Sequence, residues 1–323
     1  MSGHIEILNA GILSTIQDGG RLGYQGSGFQ TSGCMDMRAY HDANALVNNP
    51  LSAPVIEMLF MGITVKFNVH TYIAITGATA DISINGKEAH MYVTYEVKAG
   101  DILEIGAAKR GRYIYLAIAK GINIPKVMGS YSTNLKCKIG GYQGRALMMG
   151  DIIEVTAYNE FFPNLYRKEM PSPSYMSDDG EACIHVIAGP QDTYFTDKGK
   201  RTFTENSYTV TDESDRMGYR LNGPEIEYKD TVDILSDGIV FGSIQVPASG
   251  KPMILMADRQ TTGGYAKIAT VISSDLPKLA QLMPGKKVHF IFVTLEDAEK
   301  LNKKSDKEMC RFRRKSGYIG GER

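Results

Sequence analysis

Glycine is the feature of this sequence that most limits how the chain can fold. The 323 residues include 34 glycines, and few long stretches show the 3.6-residue period of an amphipathic helix. Glycine adopts the backbone conformations that tight turns need, so short strands joined by such turns are favoured. We therefore predict a mainly β chain with a few short helices.

Apolar residues occur in short runs that predict strands on both sides of the middle of the chain. The predicted strands cover residues 63–69, 72–76, 81–84, 91–97, 102–105, 113–119, 152–155, 182–188, 208–210, 231–235, 242–246, 253–256, 268–272 and 288–293. Asn85-Gly86 is predicted as a hairpin turn, and Ala99-Gly100-Asp101 is expected to separate the next two strands in the same way. Helices are predicted at residues 35–47 and 276–282.

The length is sufficient for two domains of roughly 100–200 residues each. The strand pattern fails between residues 158 and 180, where three prolines and an Asp-Asp-Gly turn signal occur. We predict an N-terminal domain at 1–157, a linker or excursion at 158–180, a C-terminal domain at 181–296 and a basic tail at 297–323. The tail is interpreted as a solvated segment, with a binding arm as the alternative.

Charge and cysteine content restrict the class of partner and the compartment. Lysine plus arginine equals aspartate plus glutamate at 36 each, which gives no support for nucleic acid or an anionic membrane as a partner. No apolar run approaches the ~18 residues that span a bilayer. The four cysteines form no Cys-x-x-Cys pair and no signal peptide is recognised, so a cytoplasmic protein is expected.

Several familiar catalytic signatures are missing from the sequence. It contains no G-x-x-x-x-G-K-[ST] phosphate loop, no G-x-G-x-x-G and no G-x-S-x-G nucleophile elbow. The six histidines are scattered and offer no paired spacing for a metal, so no metal site is expected. Chemistry by aspartate, arginine, glutamine, threonine, tyrosine and backbone groups remains.

The first candidate for such chemistry is the polar run at residues 14–24. It contains Asp18, a Gly-Gly turn and Arg21, which could hold a carboxylate or phosphate through two parallel hydrogen bonds. Asp18 could orient that arginine or accept a proton. The alternative interpretation is a surface turn with an Asp–Arg ion pair.

The second candidate is the polar run that follows the predicted strand at 253–256. Residues 258–265 bring together one acid, one base, an amide, two threonine hydroxyls and a Gly-Gly pair. This composition suits recognition of a small polar ligand, and Gly263-Gly264 could supply backbone N–H groups to an oxyanion. A loop without function is the alternative.

The third candidate is the segment at residues 214–221, which contains two arginines four residues apart. Arg216 and Arg220 would share one face of a helix, but Gly218 between them argues against a long helix. Pairing of both arginines with nearby acids is the alternative to ligand binding.

These segments resemble the motifs of the biotin-dependent carboxyltransferase-like family. The family's opening motif is similar to Thr15-Ile16-Gln17-Asp18 with Gly20-Arg21, and its most recognisable block is similar to residues 214–223. The resemblance continues in order from about residue 5 to residue 293 through Ser32-Gly33, Met35-Asp36, Glu57, Gly129-Ser130, Ser132-Thr133, Gly140-Gly141, Gly189-Pro190-Gln191, Gly242–Pro247 and Asp258–Tyr265.

The resemblance implies two cyclophilin-like β-barrel domains and a role in a complex. The family includes subunits of bacterial 5-oxoprolinases, so the expected partners are a B subunit (KipI-like) and an A subunit (LamB/YcsF-like). Such a complex opens 5-oxo-L-proline to L-glutamate and consumes ATP, whose site is not assigned to this chain.

The resemblance and the polar character of the motifs together give a site hypothesis. The residues expected to act in catalysis are Asp18, Arg216, Asp258 and Arg259. The residues expected to bind substrate are Arg21, Arg220, Gln245, Gln260, Thr261, Thr262, Gly263, Gly264 and Tyr265. In this hypothesis arginines bind an anionic substrate or phosphate, amide and hydroxyl groups orient the ring, and the aspartates position an arginine or relay a proton.

Two alternative functions use the same resemblance. One is the carboxyltransferase component of a urea or amide carboxylase, with carboxybiotin supplied by a partner as donor. The other is a regulator like KipA, which binds a kinase inhibitor through an exposed apolar patch rather than a catalytic pocket.

Overall fold

The computed structural model describes residues 2–165, 168–176, 180–230 and 233–318. The chain divides into two compact units, each built from segments that are distant in sequence. Unit 1 comprises Met1–Leu22, Ser32–Ser177 and Glu308–Arg323, and unit 2 comprises Gly23–Thr31 and Asp178–Lys307. The main division falls inside the segment predicted as a linker or excursion.

Unit 1 is built on a nine-stranded sheet whose described strand pairs are antiparallel. The main strand order is β2-β3-β8-β4-β1-β9, and β5 pairs with β6, β7 and β8. The strands are β1 (Ser2–Asn9), β2 (Leu13–Gln17), β3 (Val55–Leu59), β4 (Thr64–Phe67), β5 (Thr71–Ile84), β6 (Lys87–Ala89), β7 (Thr94–Val97), β8 (Ile102–Ile118) and β9 (Ile152–Thr156).

The core of unit 1 follows from alternating side chains on its strands. In β4 the residues Val65 and Phe67 are buried while their neighbours are partly exposed, and in β9 Ile153 and Val155 are buried between exposed residues. Successive side chains of a strand point to opposite faces, so one face of each strand enters a common apolar cluster.

The two longest strands, β5 and β8, correct the strand prediction. The sequence predicts two strands in place of each, at 72–76 and 81–84 and at 102–105 and 113–119, but each pair forms one continuous strand. Register shifts between Gly77 and Ile82 absorb extra residues, so the two strands stay paired although the apolar pattern is interrupted.

The two predicted turns have different outcomes. Asn85 and Gly86 both have positive φ and connect the paired residues Ile84 and Lys87, which confirms the hairpin turn. The expectation for residues 99–101 is wrong, because β7 and β8 each pair with β5 rather than with each other. The Gly100 N–H instead donates to the carbonyl of Phe67.

Helix α1 (Met37–Leu46) confirms the helix predicted at 35–47. Asp36 begins it, because its Oδ1 accepts the N–H of Ala39 at 2.9 Å and satisfies an otherwise unpaired donor of the first turn. The helix packs its small residues against the sheet, where Thr76 Oγ1 donates to the carbonyl of Ala39 at 2.7 Å.

Unit 2 is a closed seven-stranded barrel with the order β10-β17-β14-β15-β12-β11-β18. The parallel pair β10–β18 closes it, and its other described pairs are antiparallel. The strands are β10 (Ala182–Ala188), β11 (Tyr208–Val210), β12 (Gly218–Asn222), β14 (Ser243–Gln245), β15 (Met253–Leu255), β17 (Lys267–Val271) and β18 (Lys287–Phe292). A separate two-stranded sheet is formed by β13 (Asp233–Gly238) and β16 (Thr262–Tyr265).

The nine-stranded sheet of unit 1 and the closed barrel of unit 2 confirm the prediction of a mainly β chain. The other α-helices of the described residues are α2 (Asp197–Glu205), α3 (Leu276–Ala280) and α4 (Leu295–Lys315). Residues 231 and 232 of the strand predicted at 231–235 lie outside the described residues. The segment at 214–221 enters strand β12, so Arg216 and Arg220 do not share a helix face, in agreement with the argument from Gly218 against a long helix.

The end of α4 belongs to unit 1 and folds onto α1. Arg313 is buried, and its Nε donates to Asp42 Oδ1 at 3.1 Å. Asp42 also lies 3.8 Å from the Nε of Arg38. This part of the predicted basic tail is therefore packed against the unit rather than solvated.

The bulge at Gly77 gives a stability prediction with a matched control. Gly77 has φ +90°, and a Cβ there would lie 2.3 Å from the carbonyl oxygen of Tyr113. Gly100 has φ +99°, but a Cβ there would meet nothing within 4 Å. We expect Gly100→Ala to cost about 1 kcal/mol for its backbone conformation, and Gly77→Ala to cost at least about 2 kcal/mol more. Urea unfolding of both variants measures the difference, and equal losses would contradict the proposed close contact.

His41 gives a prediction for the pH dependence of stability. Burial, and after it the charge of Arg313, lower the pKa of His41 from 6.5 to about 4. Between these values the unfolded chain binds a proton that the folded chain does not, so stability falls as the pH drops below 6.5. At pH 5 this histidine accounts for about 2 kcal/mol of lost stability. The unfolding free energy of His41→Gln should fall less between pH 7 and pH 5 than that of the wild type, and parallel curves would contradict this.

Candidate functional site

Asp18, at the end of β2, is a buried carboxylate that holds the neighbouring loop. Its Oδ1 accepts hydrogen bonds from Ser130 Oγ and Ser132 Oγ at 2.6 Å each and from the N–H of Gly20 at 2.9 Å. Its Oδ2 accepts the N–H of Tyr131 at 2.8 Å. Four donors on one carboxylate fix the segment at 130–132 against the start of the Gly-Gly turn.

Arg21 lies in the same part of unit 1 and is fully buried. Its Nε donates to the carbonyl of Val127 at 3.0 Å, and its Nη2 donates to the carbonyl of Ser132 at 2.9 Å. A Cβ at Gly140 would lie 2.7 Å from this Nη2, so a glycine is needed where the chain crosses the guanidinium. The alternative interpretation of residues 14–24 as a surface turn is therefore wrong, because both charged groups are buried.

A second polar network in unit 1 surrounds the start of α1 and was not predicted as functional. Glu57 Oε2 accepts the N–H of Met35 and the hydroxyl of Tyr115, both at 2.8 Å. The same hydroxyl accepts the N–H of Asp36 at 2.8 Å, and the Asp36 carboxylate accepts the hydroxyl of Tyr175 at 3.1 Å. Burial raises the pKa of Tyr115 well above its usual value, so this phenol stays protonated and keeps donating.

In unit 2, Arg216 and Asp258 form a fork-like ion pair. Arg216 Nε donates to Asp258 Oδ2 at 2.8 Å and Nη2 donates to Oδ1 at 3.2 Å. The pair lies where β12 begins and β15 ends, since these strands are neighbours in the barrel. Asp215 fixes the approach to β12, because its Oδ1 accepts the N–H groups of Met217 and Gly218. The arginine is therefore held in one orientation by two parallel hydrogen bonds.

Arg259 follows Asp258 in sequence. Its side chain is buried and contacts three segments of unit 2. Its guanidinium donates to the carbonyls of Ile239 and Met256 at 3.3 Å each and to Thr31 Oγ1 at 3.4 Å. Its Cζ also lies 5.7 Å from the ring centre of Phe241. Burial lowers its pKa to about 10, so it still carries its charge at neutral pH.

Gln245 on β14 is fully buried beneath strand β16. Its Nε2 donates to the carbonyl of Tyr265 at 3.3 Å. A Cβ at Gly263 would lie 2.6 Å from this Nε2 and 3.1 Å from Nε2 of Gln260, so glycine lets β16 approach both amides. In the part of the chain that the structure describes, no donor reaches Oε1 of Gln245.

Lys267 on β17 was not predicted as a site residue, although it lies two residues after the second polar run at 258–265. It is the cross-strand partner of Gln245. Its side chain is 2% exposed, and its Nζ lies 3.0 Å from Asp237 Oδ2 on β13. Gln191 connects to both, since its Oε1 accepts the N–H of Lys267 and its Nε2 donates to Asp237 Oδ2. A lysine between a polar run and a predicted strand is the sequence signal that points to such a site.

The predicted site residues thus form three groups. Asp18 and Arg21 lie together in unit 1. Arg216 and Asp258 are paired in unit 2, with Arg259 next in sequence. The remaining group consists of Gln245, Gln260, Thr261, Thr262, Gly263, Gly264 and Tyr265, in which Gln245, Gln260, Gly263 and Tyr265 are connected by the contacts described above.

Arg220 is not brought to the other arginines. Its side chain is exposed on β12 and lies 3.5 Å from Glu213 Oε2. Thr262 and Tyr265 are also exposed, whereas Thr261 is partly buried and its carbonyl accepts the N–H of Ile239. The ligand-binding roles of these residues stay predictions.

Metal-binding clusters and membrane-spanning helices are both absent from the described ranges. Residues 2–165, 168–176, 180–230 and 233–318 contain no group of three or more histidine, cysteine, aspartate or glutamate side chains placed to bind a metal. Within the same ranges, no helix combines the length and apolar character needed to cross a bilayer.

Comparison with known proteins places these features in a family. The profile described as carboxyltransferase domain, subdomain A and B, matches residues 27–292. The C subunit of the 5-oxoprolinase from Haemophilus influenzae is 38% identical over 311 residues, covering 96% of this chain and 98% of the relative. The corresponding C subunit from Escherichia coli is 36% identical over 296 residues, covering 92% and 93%.

A solved structure shares the fold across almost the whole chain. The crystal structure of the K. lactis urea amidolyase matches with a TM-score of 0.86 and 29% identity over 96% of this chain. This chain spans 20% of that longer protein. Because the family profile covers most of the sequence and both relatives match along nearly their full length, the chain belongs to the carboxyltransferase domain family, subdomain A and B.

Proposed function

We propose that this chain acts as the C subunit of an ATP-dependent 5-oxoprolinase, which opens 5-oxo-L-proline to L-glutamate. The observation that carries the proposal is the end-to-end similarity to two relatives with that name, which covers 98% and 93% of their lengths. The similarity to urea amidolyase, in contrast, covers only a fifth of that protein.

The proposed role requires partner subunits. The relatives are named as subunits, so we propose that this chain works with a B subunit (KipI-like) and an A subunit (LamB/YcsF-like). ATP is consumed by the assembly, and its site is not assigned to this chain.

The chemistry of lactam opening suits the arginines of unit 2. An amide carbonyl is a poor electrophile, and phosphorylation of its oxygen would activate it for attack by water. Phosphoryl transfer depends mostly on positioning and charge neutralisation. Arg216, oriented by Asp258, and Arg259, which keeps its charge although buried, could neutralise an anionic substrate or phosphoryl group.

The remaining site residues take supporting roles in this proposal. Gln245, Gln260 and the segment at 261–265 orient the substrate ring. Asp18 and Arg21 hold their loop in unit 1, since Asp18 already accepts four hydrogen bonds and Arg21 donates to two carbonyls. This pattern favours positioning by Asp18 over proton relay, because its oxygens are occupied.

A second candidate function is the carboxyltransferase step of a biotin-dependent urea or amide carboxylase. The TM-score of 0.86 with urea amidolyase favours it. The buried acceptor Oε1 of Gln245 fits the N–H of a ureido ring, so the residues present are compatible with biotin. When bound, carboxybiotin would supply the carboxyl group, and Gln245 would orient the ring.

Reconstitution tests the proposed function directly. Purified A, B and C subunits should together release glutamate from 5-oxoproline with ATP hydrolysis, and omission of this chain should abolish the release. Urea, offered with a biotinylated partner, is the comparison substrate for the second candidate function. Binding to the B subunit with no oxoproline-dependent ATP hydrolysis by the full mixture would favour a KipA-like regulator and contradict the enzyme role.

The two buried arginines of unit 2 give a prediction on activity. Arg216→Ala and Arg259→Ala should each lower kcat of the reconstituted complex at least about 10²-fold if the arginine stabilises transition-state charge. Arg201→Ala, which removes an exposed arginine of α2, is the matched control and should keep full activity. Thermal unfolding of each variant identifies loss of fold, and unchanged turnover in both folded variants would remove the arginines from the mechanism.

A further inference from the structure

Gln245 and Lys267 form a buried polar pair on the wall of the barrel. They are cross-strand partners on β14 and β17, and both side chains are excluded from solvent. Strand β16 lies over Gln245 at Gly263, and Gly263 is itself the cross-strand partner of Asp237 on β13. The two-stranded sheet of β13 and β16 therefore covers this pair.

The amide of Gln245 is only half used within the described chain. Its Nε2 donates to the carbonyl of Tyr265, but its Oε1 is buried with no donor in reach among the described residues. A buried acceptor without a donor is costly, and a native protein retains one where a ligand or water supplies the missing hydrogen. A ligand N–H would satisfy Oε1.

The ammonium of Lys267 needs an acceptor, whereas Gln245 Oε1 needs a donor. This ammonium is buried and lies 3.0 Å from the carboxylate of Asp237, which is half exposed on β13. The hydrogen bond from Lys267, followed by that from Gln191, holds the pKa of Asp237 below its usual range, so this carboxylate is charged at neutral pH. The carboxylate that pairs with Lys267 thus belongs to a two-stranded sheet. Such a sheet is only marginally stable by itself.

We propose that Gln245 Oε1 and the Lys267 ammonium together recognise a small cyclic amide that carries a carboxylate. Gln245 accepts the ring N–H, and Lys267 binds the carboxylate in place of Asp237. This inference rests on the proposed function, and it names the groups that would select 5-oxo-L-proline, whose N–H and carboxylate are attached to the same ring carbon. Asp237 then acts as a competing anion that occupies Lys267 until substrate arrives.

Two analogues separate the roles of the two side chains. In 3-oxocyclopentane-1-carboxylate a CH₂ group replaces the ring N–H, and in 2-pyrrolidinone the carboxylate is missing. The reconstituted A, B and C complex is assayed for the Michaelis constant of its lactam substrate, 5-oxoproline, and for the inhibition constant of each analogue. The ratio of inhibition constant to Michaelis constant measures how strongly the enzyme selects each group.

The expected result is a loss of selection specific to each variant. Gln245→Met should reduce the preference for 5-oxoproline over the carbocyclic acid by about 10-fold, and Lys267→Met should reduce the preference over 2-pyrrolidinone by at least about 10-fold. Gln245→Met should leave the preference over 2-pyrrolidinone largely unchanged, and Lys267→Met should do the same for the preference over the carbocyclic acid. Asp237→Asn should lower the Michaelis constant of the lactam substrate about 3-fold or more, because the competing charge is removed.

Lys251→Met, which removes an exposed lysine of unit 2, is the matched control and should change neither ratio. An active complex whose two preferences are unchanged in Gln245→Met and Lys267→Met would overturn the inference and leave the proposed function standing. A wild-type complex with no oxoproline-dependent activity would instead overturn the proposed function itself. If Lys267→Met does not fold, a raised or unchanged Michaelis constant in Asp237→Asn overturns the competition between Asp237 and substrate.

Discussion

A buried guanidinium must place its N–H groups on acceptors, and this requirement shapes the loops of both units. In unit 1, Arg21 donates to the carbonyls of Val127 and Ser132. In unit 2, Arg259 donates to the carbonyls of Ile239 and Met256. Since the carbonyls belong to irregular segments, each arginine supplies hydrogen bonds that a strand would otherwise provide. The loops that carry the candidate site residues are thus held by charge as much as by packing.

The carboxylates of the candidate site likewise fix their surroundings through the hydrogen bonds that they accept. Asp18 accepts backbone and hydroxyl donors, whereas Asp258 accepts the two prongs of Arg216. The first arrangement fixes the course of a loop, and the second fixes the orientation of a cation. The second arrangement orients a positive group, which is why the proposed chemistry is centred on unit 2.

Much of the β architecture could be predicted from sequence because it is local. The Asn85-Gly86 turn and the helix after Asp36 depend on neighbouring residues, so their sequence patterns were sufficient. Strands β5 and β8 were divided wrongly, because bulges near Gly77 interrupt the apolar pattern without interrupting the pairing. A bulge is fixed by the partner strand, and no local pattern reports it.

The sequence motifs indicated which polar residues could form the site, but not which of them contact each other. The motifs marked Arg216, Asp258 and Gln245 as polar groups at strand ends, and the structure pairs the first two. Lys267 was missed because its acidic partner, Asp237, lies 30 residues away on another sheet. Arg220 lies inside β12 and is exposed on the face opposite the buried Tyr219 and Leu221, whereas Arg216 precedes the strand and pairs with Asp258.

The pairing of Asp42 with Arg313 joins residues 271 positions apart. A ribosome makes residues 1–177, which include α1, before residues 178–307 of unit 2, and only afterwards Arg313. Arg313 is therefore not yet available to pair with Asp42 while the residues of the barrel are synthesised. Contacts of such long sequence separation slow folding, and the packing of α4 against α1 requires the residues of the barrel to be synthesised first.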